Sequence, residues 1–148
     1  LGAIALEGLR SIDEVIRYAS EPRGPGEERL IDLPWVRNNL AEAQALLAAM
    51  KVMNWRMAWE ADRGPLMPAP ASSVKVFCSE NNIRVHQLLL EVLGAEGLLQ
   101  AGSEGAVLRG KLEKGYKSIT VMTFGGGVNE IQRELIAMFG LDMPRPMR

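Results

Sequence analysis

The sequence holds one cysteine, Cys78, and one histidine, His86, in 148 residues. A lone cysteine excludes an internal disulfide and fits a reducing compartment, which makes the cytoplasm the expected location. His86 has no acidic residue three positions before it, which excludes the paired Glu-x-x-His ligands of a carboxylate-bridged di-iron bundle; no metal site is expected. Neither sign of charge is in excess. Lys and Arg number 17 against 18 Asp and Glu, for a net charge of -1, and both signs are scattered. No basic stripe exists to neutralise a row of phosphates, so nucleic acid is not an expected partner. Apolar runs such as "ALLAAM" and "LLL" stop far short of the roughly 20 residues a spanning helix needs, so a soluble, non-membrane protein is expected. Period-two alternation of β-branched residues, internal repeats and low-complexity tracts are essentially lacking. So are G-x-S-x-G, Walker A and C-x-x-C, which leaves hydrolase, nucleotidase and zinc chemistry without support. The opening "LGAIALEGLRSIDEVIRYA" has no Met, no signal-type charged region and no N-cap residue. It reads as a segment of a longer chain.

What is present is helical periodicity. With 47% apolar residues the chain can bury one sizeable core, and residues 1–148 are expected to form a single domain. Ala5, Leu9, Ile12, Ile16 and Ala19 recur at spacings of four and three, predicting a first helix ending near Ser20. "EPRGPGEERL" breaks it. Asp32 is placed to cap a second helix, with Pro34 in its first turn, and Val36, Leu40, Ala43, Leu47, Met50 and Met57 carry it to about Ala61. "RGPLMPAPASS" stops it and offers Ser72 or Ser73 as the next cap. Val74, Cys78, Val85, Leu88 and Val92, with Asn81 in phase, form a third helix ending at Gly94. Cys78 and the methionines read as packing, and His86 as an ordinary helix residue. Leu108, Leu112, Ile119 and Met122 suggest a fourth helix running into Gly125. A short fifth begins at Val128 or Asn129, shows Ile131, Leu135 and Phe139 on its apolar side, and closes at Gly140 and Pro144. The expected fold is all-α, an antiparallel four-helix bundle with a short C-terminal fifth helix.

Two glycine-bearing corners stand out. Three glycines cost a helix interior roughly 1 kcal/mol each relative to alanine, so Gly125 to Gly127 require another reason. Either they make a tight corner between helices, or they expose backbone N–H groups at a helix start, a geometry that suits phosphate or an enolate-like oxygen. "EVLGAEG", Glu91 to Gly97, ends the third helix with two glycines, Gly94 and Gly97. A helix C-cap also accounts for it.

"FGGGVNEIQRELIA" resembles the C-terminal segment of acyl-CoA dehydrogenases, in which "EIQR" or "QIQR" follows an aromatic, a Glu, a Gly and a small polar pair. "VKVFCSENNIRVHQLLLEVLGAEGLL" resembles the helix leading to that family's Q-x-x-G-G-x-G turn, and the opening helix is similar to the one that starts the same domain. The chain is thereby identified as similar to the C-terminal all-helical domain of the family. It is closest to divergent actinobacterial members acting on bulky acyl-CoA thioesters such as steroid side chains. The resemblance implies FAD as cofactor, an acyl-CoA substrate, and a homo- or hetero-oligomer formed through the helical bundle. It implies α-proton abstraction by a glutamate coupled to β-hydride transfer to the flavin. The usual glutamate lies four residues before Glu130, where this sequence has Gly126. Some members project it from the first helix, where Glu7 is the carboxylate at hand; otherwise it lies upstream of Leu1. Cofactor contacts implied by position are Arg23, Glu91, Gly94, Gly97, Gly127, Asn129 and Glu130. Glu91 replaces a Gln, Val128 replaces a Thr, and the aromatic of the R-x-x-F-G loop is lost beside Arg23. These departures open a second possibility, a non-catalytic assembly subunit or domain of a hetero-oligomeric acyl-CoA dehydrogenase.

Overall fold

A computed structural model describes residues 2–22, 24, 26 and 28–145, with side chains from residue 6 onward. Five α-helices carry the described structure: α1 (Gly2–Ser20), α2 (Pro34–Ala61), α3 (Pro68–Leu93), α4 (Lys111–Ile119) and α5 (Asn129–Gly140). Short 3-10 turns at Leu30–Asp32, Gly94–Leu98, Val107–Gly110 and Thr120–Thr123 join them, and no strand occurs among the described residues. None of the described helices is long and apolar enough to cross a membrane.

The three long helices pack up-down-up. Gly8 of α1 lies so close to α2 that an added Cβ would meet the Leu47 side chain at 2.4 Å. Between α2 and α3, Asn39 bonds Glu91 at 2.8 Å, Arg84 bonds Glu42 at 2.8 Å, and Asn54 reaches the Cys78 Sγ at 3.5 Å. The residue numbers run in opposite senses, so the helices are antiparallel. Their shared core takes Ile12, Val15 and Ala19 from α1, the whole Val36, Leu40, Ala43, Leu47, Met50 stripe from α2, and Val74, Cys78, Val85 and Leu88 from α3. Each large side chain so buried contributes about 1.5–3 kcal/mol of transfer free energy, which holds the helices together.

Several expectations are corrected. Ile16 is exposed and Val15 is buried in its place, because the inward row of α1 runs Gly8, Ile12, Val15, Ala19, and both Val15 and Ile16 stand at helical spacing from Ile12. The expectation for the Ala5 side chain lies outside the described residues. Asp32 does not cap α2; its carboxylate takes two bonds from Arg29, and Leu33 occupies the cap position without a side-chain bond. α3 starts at Pro68 rather than at a serine cap, since prolines in a first turn lack only N–H groups that have no intrahelical acceptor. Asn82, not Asn81, is the buried asparagine of α3. On α5, Leu135 is partly buried but Ile131 and Phe139 are exposed, and the inward edge begins with Asn129.

The fourth helix is shorter than its pattern, running only Lys111–Ile119, and the short fifth occupies Asn129–Gly140 as expected. Lys75 and Ser79 of α3 face α5, while His86 and Gln87 face α4, so α5 and α4 divide the length of α3 between them. The interruption between them is the Thr120–Thr123 turn followed by Phe124 and the Gly125 to Gly127 segment.

Candidate functional site

α3 carries a stripe that the apolar periodicity does not show. Lys75, Ser79, Asn82 and His86 follow spacings of four, three and four, placing four polar residues on one face that packs under α5 and α4. Lys75 Nζ donates to the Thr123 carbonyl at 3.1 Å and to Asn129 Oδ1 at 2.5 Å. The Asn129 amide nitrogen donates to Ser79 Oγ and Glu80 Oε1, both at 3.0 Å. Arg133 completes the set with two 2.7 Å bonds to the Glu80 carboxylate. The Arg133 guanidinium, with the Asn129 amide, holds Glu80 below the usual carboxylate range, and partial burial lowers Lys75. Asn129, only 4% exposed, is therefore the centre of a satisfied polar network. Lys75, Ser79, Glu80 and Arg133 were absent from the sequence-based candidates, although the 4-3-4 polar spacing was there to be read.

This network fixes the first of the glycine corners. Gly126 and Gly127 have φ of 71° and 105°, in the left-handed region that glycine adopts without steric cost. A Cβ on Gly126 would meet nothing within 4 Å, whereas one on Gly127 would strike Gln132 Nε2 at 2.6 Å. Gly126, Gly127, Val128 and Glu130 are exposed, and Val128, in the N-cap position of α5, makes no side-chain capping bond. Helix starts of this kind leave N–H groups without an intrahelical acceptor, and the helix dipole adds positive potential there. The corner thus presents bare backbone donors to solvent, beside Phe124, itself 58% exposed. Such donors stabilise negative charge on an oxygen or a phosphate.

The other candidates lie apart from it. Gly94 closes α3 with φ 68° and open space around it, while Gly97 is buried against Leu93. This second corner is roughly 20 Å from Ser79 along α3 at 1.5 Å per residue, so it and the first corner do not form one cluster. Glu91 is exposed and accepts the Asn39 amide. Arg23 lies outside the described residues. Glu7 is exposed on α1 at the rim of a cavity of about 480 Å³ also lined by Asn82, His86, Gly115 and Met122. His86 Nδ1 lies 2.9 Å from the Asn82 carbonyl, which can only accept, so Nδ1 carries the hydrogen. Its Nε2 faces Gly115, where a Cβ would sit 2.8 Å away. Burial lowers the His86 pKa from its ordinary value. The side-chain nitrogen and oxygen of Asn82 are buried without a hydrogen-bond partner. No cluster of three or more potential metal-ligating side chains occurs among the described residues.

An all-helical domain with a shared apolar core, and a polar stripe along α3 that anchors a glycine corner, is the class these features define. Residues 2–141 match the family model for the acyl-CoA dehydrogenase C-terminal domain, and the chain belongs to the acyl-CoA dehydrogenase family. It is 42% identical over 139 residues to the acyl-CoA dehydrogenase FadE26 of Mycobacterium tuberculosis, covering 91% of this chain and 34% of that protein. Among solved structures it resembles the ChsE4-ChsE5 complex of Mycobacterium tuberculosis, with a TM-score of 0.89 and 39% identity over 96% of this chain and 37% of that one. It also resembles the Tcur3481-Tcur3483 steroid ACAD, with a TM-score of 0.88 and 37% identity over 98% of this chain and 36% of that one. The chain spans about a third of the length of the curated relatives it matches.

Proposed function

We propose that residues 1–148 form one domain of a flavin-dependent acyl-CoA dehydrogenase that oxidises an acyl-CoA thioester to the 2,3-enoyl-CoA. The observation that carries this is the exposed glycine corner joined to "NEIQR", whose Asn129 and Arg133 are locked onto α3. Bound FAD would supply the acceptor for the β-hydride. Gly127, Asn129 and Glu130 fit such a group through bare, uncapped backbone at the start of α5. Gly94 and Gly97 offer a second glycine-bearing approach. Glu91 does not fit a pyrophosphate, because an ionised carboxylate there only accepts hydrogen bonds and already takes one from Asn39.

Gly126 cannot abstract a proton. The base therefore comes from elsewhere: from Glu7 on α1, from residues preceding Leu1, or from another subunit. The role left to this corner is to hold backbone donors where a polarised thioester oxygen needs them, which acidifies the α-proton for that base. The likeness to a steroid ACAD favours a bulky acyl group. The helical bundle would supply the oligomer interface, and the two-component relatives favour a hetero-oligomer.

A second reading is favoured by Gly126 and Glu91 together: a non-catalytic assembly subunit whose flavin site is completed by a sister chain. Purifying the full-length protein with and without a neighbouring homologous subunit, and recording flavin absorbance and its bleaching by an acyl-CoA, separates the two. Stoichiometric, reducible flavin on the full-length protein alone supports the self-sufficient enzyme. Flavin confined to the co-purified pair supports the assembly subunit. No flavin in either preparation defeats both.

A further inference from the structure

The glycine corner has few means of holding its own shape. Gly125 N–H bonds the Val121 carbonyl at 2.7 Å, and at the helix start Gln132 N–H bonds the Val128 carbonyl at 3.0 Å. Between them lie two left-handed glycines, with neither a Cβ to restrict them nor a side-chain cap at Val128. Glycine loses more conformational entropy on ordering than any other residue, so this backbone has to be fixed from outside. Lys75 is placed to do so. Its ammonium bonds the Thr123 carbonyl, before the glycines, and Asn129 Oδ1, after them. One side chain on the rigid α3 thereby spans both arms of the turn.

We propose that Lys75 is the positioning residue of the flavin-facing corner, setting the separation and aim of the two arms so that the backbone donors of the α5 start converge on the cofactor. This rests on the flavin reading above. The charges around the ammonium agree with it. Glu80 on its own helix and Glu130 on α5 both favour the protonated form, and Glu80 is already committed to Arg133 and Asn129. Burial outweighs them and lowers the Lys75 pKa, but both partners of Nζ, a backbone carbonyl and an amide oxygen, are acceptors that a protonated amine satisfies. An uncharged side chain of the same length would keep the packing and lose both bonds.

The test compares Lys75→Met, Lys75→Arg and Lys75→Gln in the full-length protein, with its sister subunit if that is needed for flavin binding. Lys75→Met is expected to weaken FAD binding about tenfold or more, the scale of losing charge-assisted hydrogen bonds, with an altered flavin absorbance band. Lys75→Arg is expected to recover most of the affinity, and Lys75→Gln, which can serve only part of the pair, to fall between. A purely structural lysine would lower Tm while leaving flavin affinity unchanged well below Tm, and that result overturns the proposal. Should Lys75→Met fail to fold, the difference between the Arg and Gln variants decides: equal flavin affinities overturn the proposal. Amide hydrogen exchange gives an independent readout. Faster exchange confined to residues 124–131 in Lys75→Gln supports the clamp, and unchanged exchange there rejects it. If the wild-type protein binds no flavin in either preparation, the flavin reading fails, and the exchange result still judges the clamp.

Discussion

His86 occupies a place where charge is expensive. Its ring is held between the Asn82 carbonyl and the backbone of Gly115, and burial favours the neutral form over the charged one. The folded state therefore binds a proton less readily than the unfolded chain, whose histidine titrates near 6.5. Below about pH 6.5 the unfolded state takes up more protons, so stability falls as pH drops through the window between the unfolded and the depressed folded value. Urea unfolding between about pH 5 and pH 7.5 should show this slope in the wild type and lose it in His86→Gln. Glu80 acts in a separate window. Its folded pKa is depressed by Arg133, so its contribution is present above the ordinary carboxylate value and is lost only at lower pH. A slope near neutrality that survives His86→Gln would show that another group carries it.

At the level of elements, legibility in the sequence followed from how far each helix shows a single apolar face. The α2 stripe was read correctly because one face of that helix meets the core, and a 3.6 period shows a single apolar face well. On α1 both Val15 and Ile16 stand at helical spacing from Ile12, and the period does not choose between them, so Ile16 was misplaced. α3 packs against α1, α2, α4 and α5, and its Lys75, Ser79, Asn82, His86 stripe was not recognised as inward-facing, although its spacing is as regular as any apolar one. The corner at Gly125 to Gly127 was visible, since only glycine tolerates its backbone. The break before α4 was not, because Leu108 and Arg109 enter the left-handed region with φ of 48° and 57°, which their side chains give no reason to expect. Gly110 follows with φ 68°, and a Cβ there would lie 2.4 Å from the Ala101 amide nitrogen. Gly110→Ala and Gly126→Ala share the left-handed strain of about 1–2 kcal/mol, but Gly126 has open space and Gly110 has backbone. Chemical denaturation should rank Gly110→Ala as clearly the more damaging. Equal losses would mean that the Val107–Gly110 turn yields to the added atom.

For the molecule as a whole, the outer side of α2 is the least explained surface. Val52, Trp55 and Trp59, spaced by three and four, lie opposite the buried Leu47 and Met50 and are 60%, 62% and 57% exposed. Tryptophans so displayed are more typical of an interface than of a free surface. Each also carries a cation over its ring, Lys51 at 4.7 Å from Trp55 and Arg63 at 3.8 Å from Trp59. Such contacts contribute about 0.5–1 kcal/mol at exposed sites, too little to account for two open indoles. If the bundle supplies the oligomer interface, this face is where it should act. Replacing both residues, Trp55→Glu and Trp59→Glu, puts carboxylates into any apolar contact formed there, yet removes little packing from the core of the chain itself. The full-length variant is expected to keep a Tm close to wild type and to fall to a smaller species by light scattering after gel filtration. A variant with unchanged mass would move the interface off α2, and one that unfolds would show that another part of the same chain covers this face.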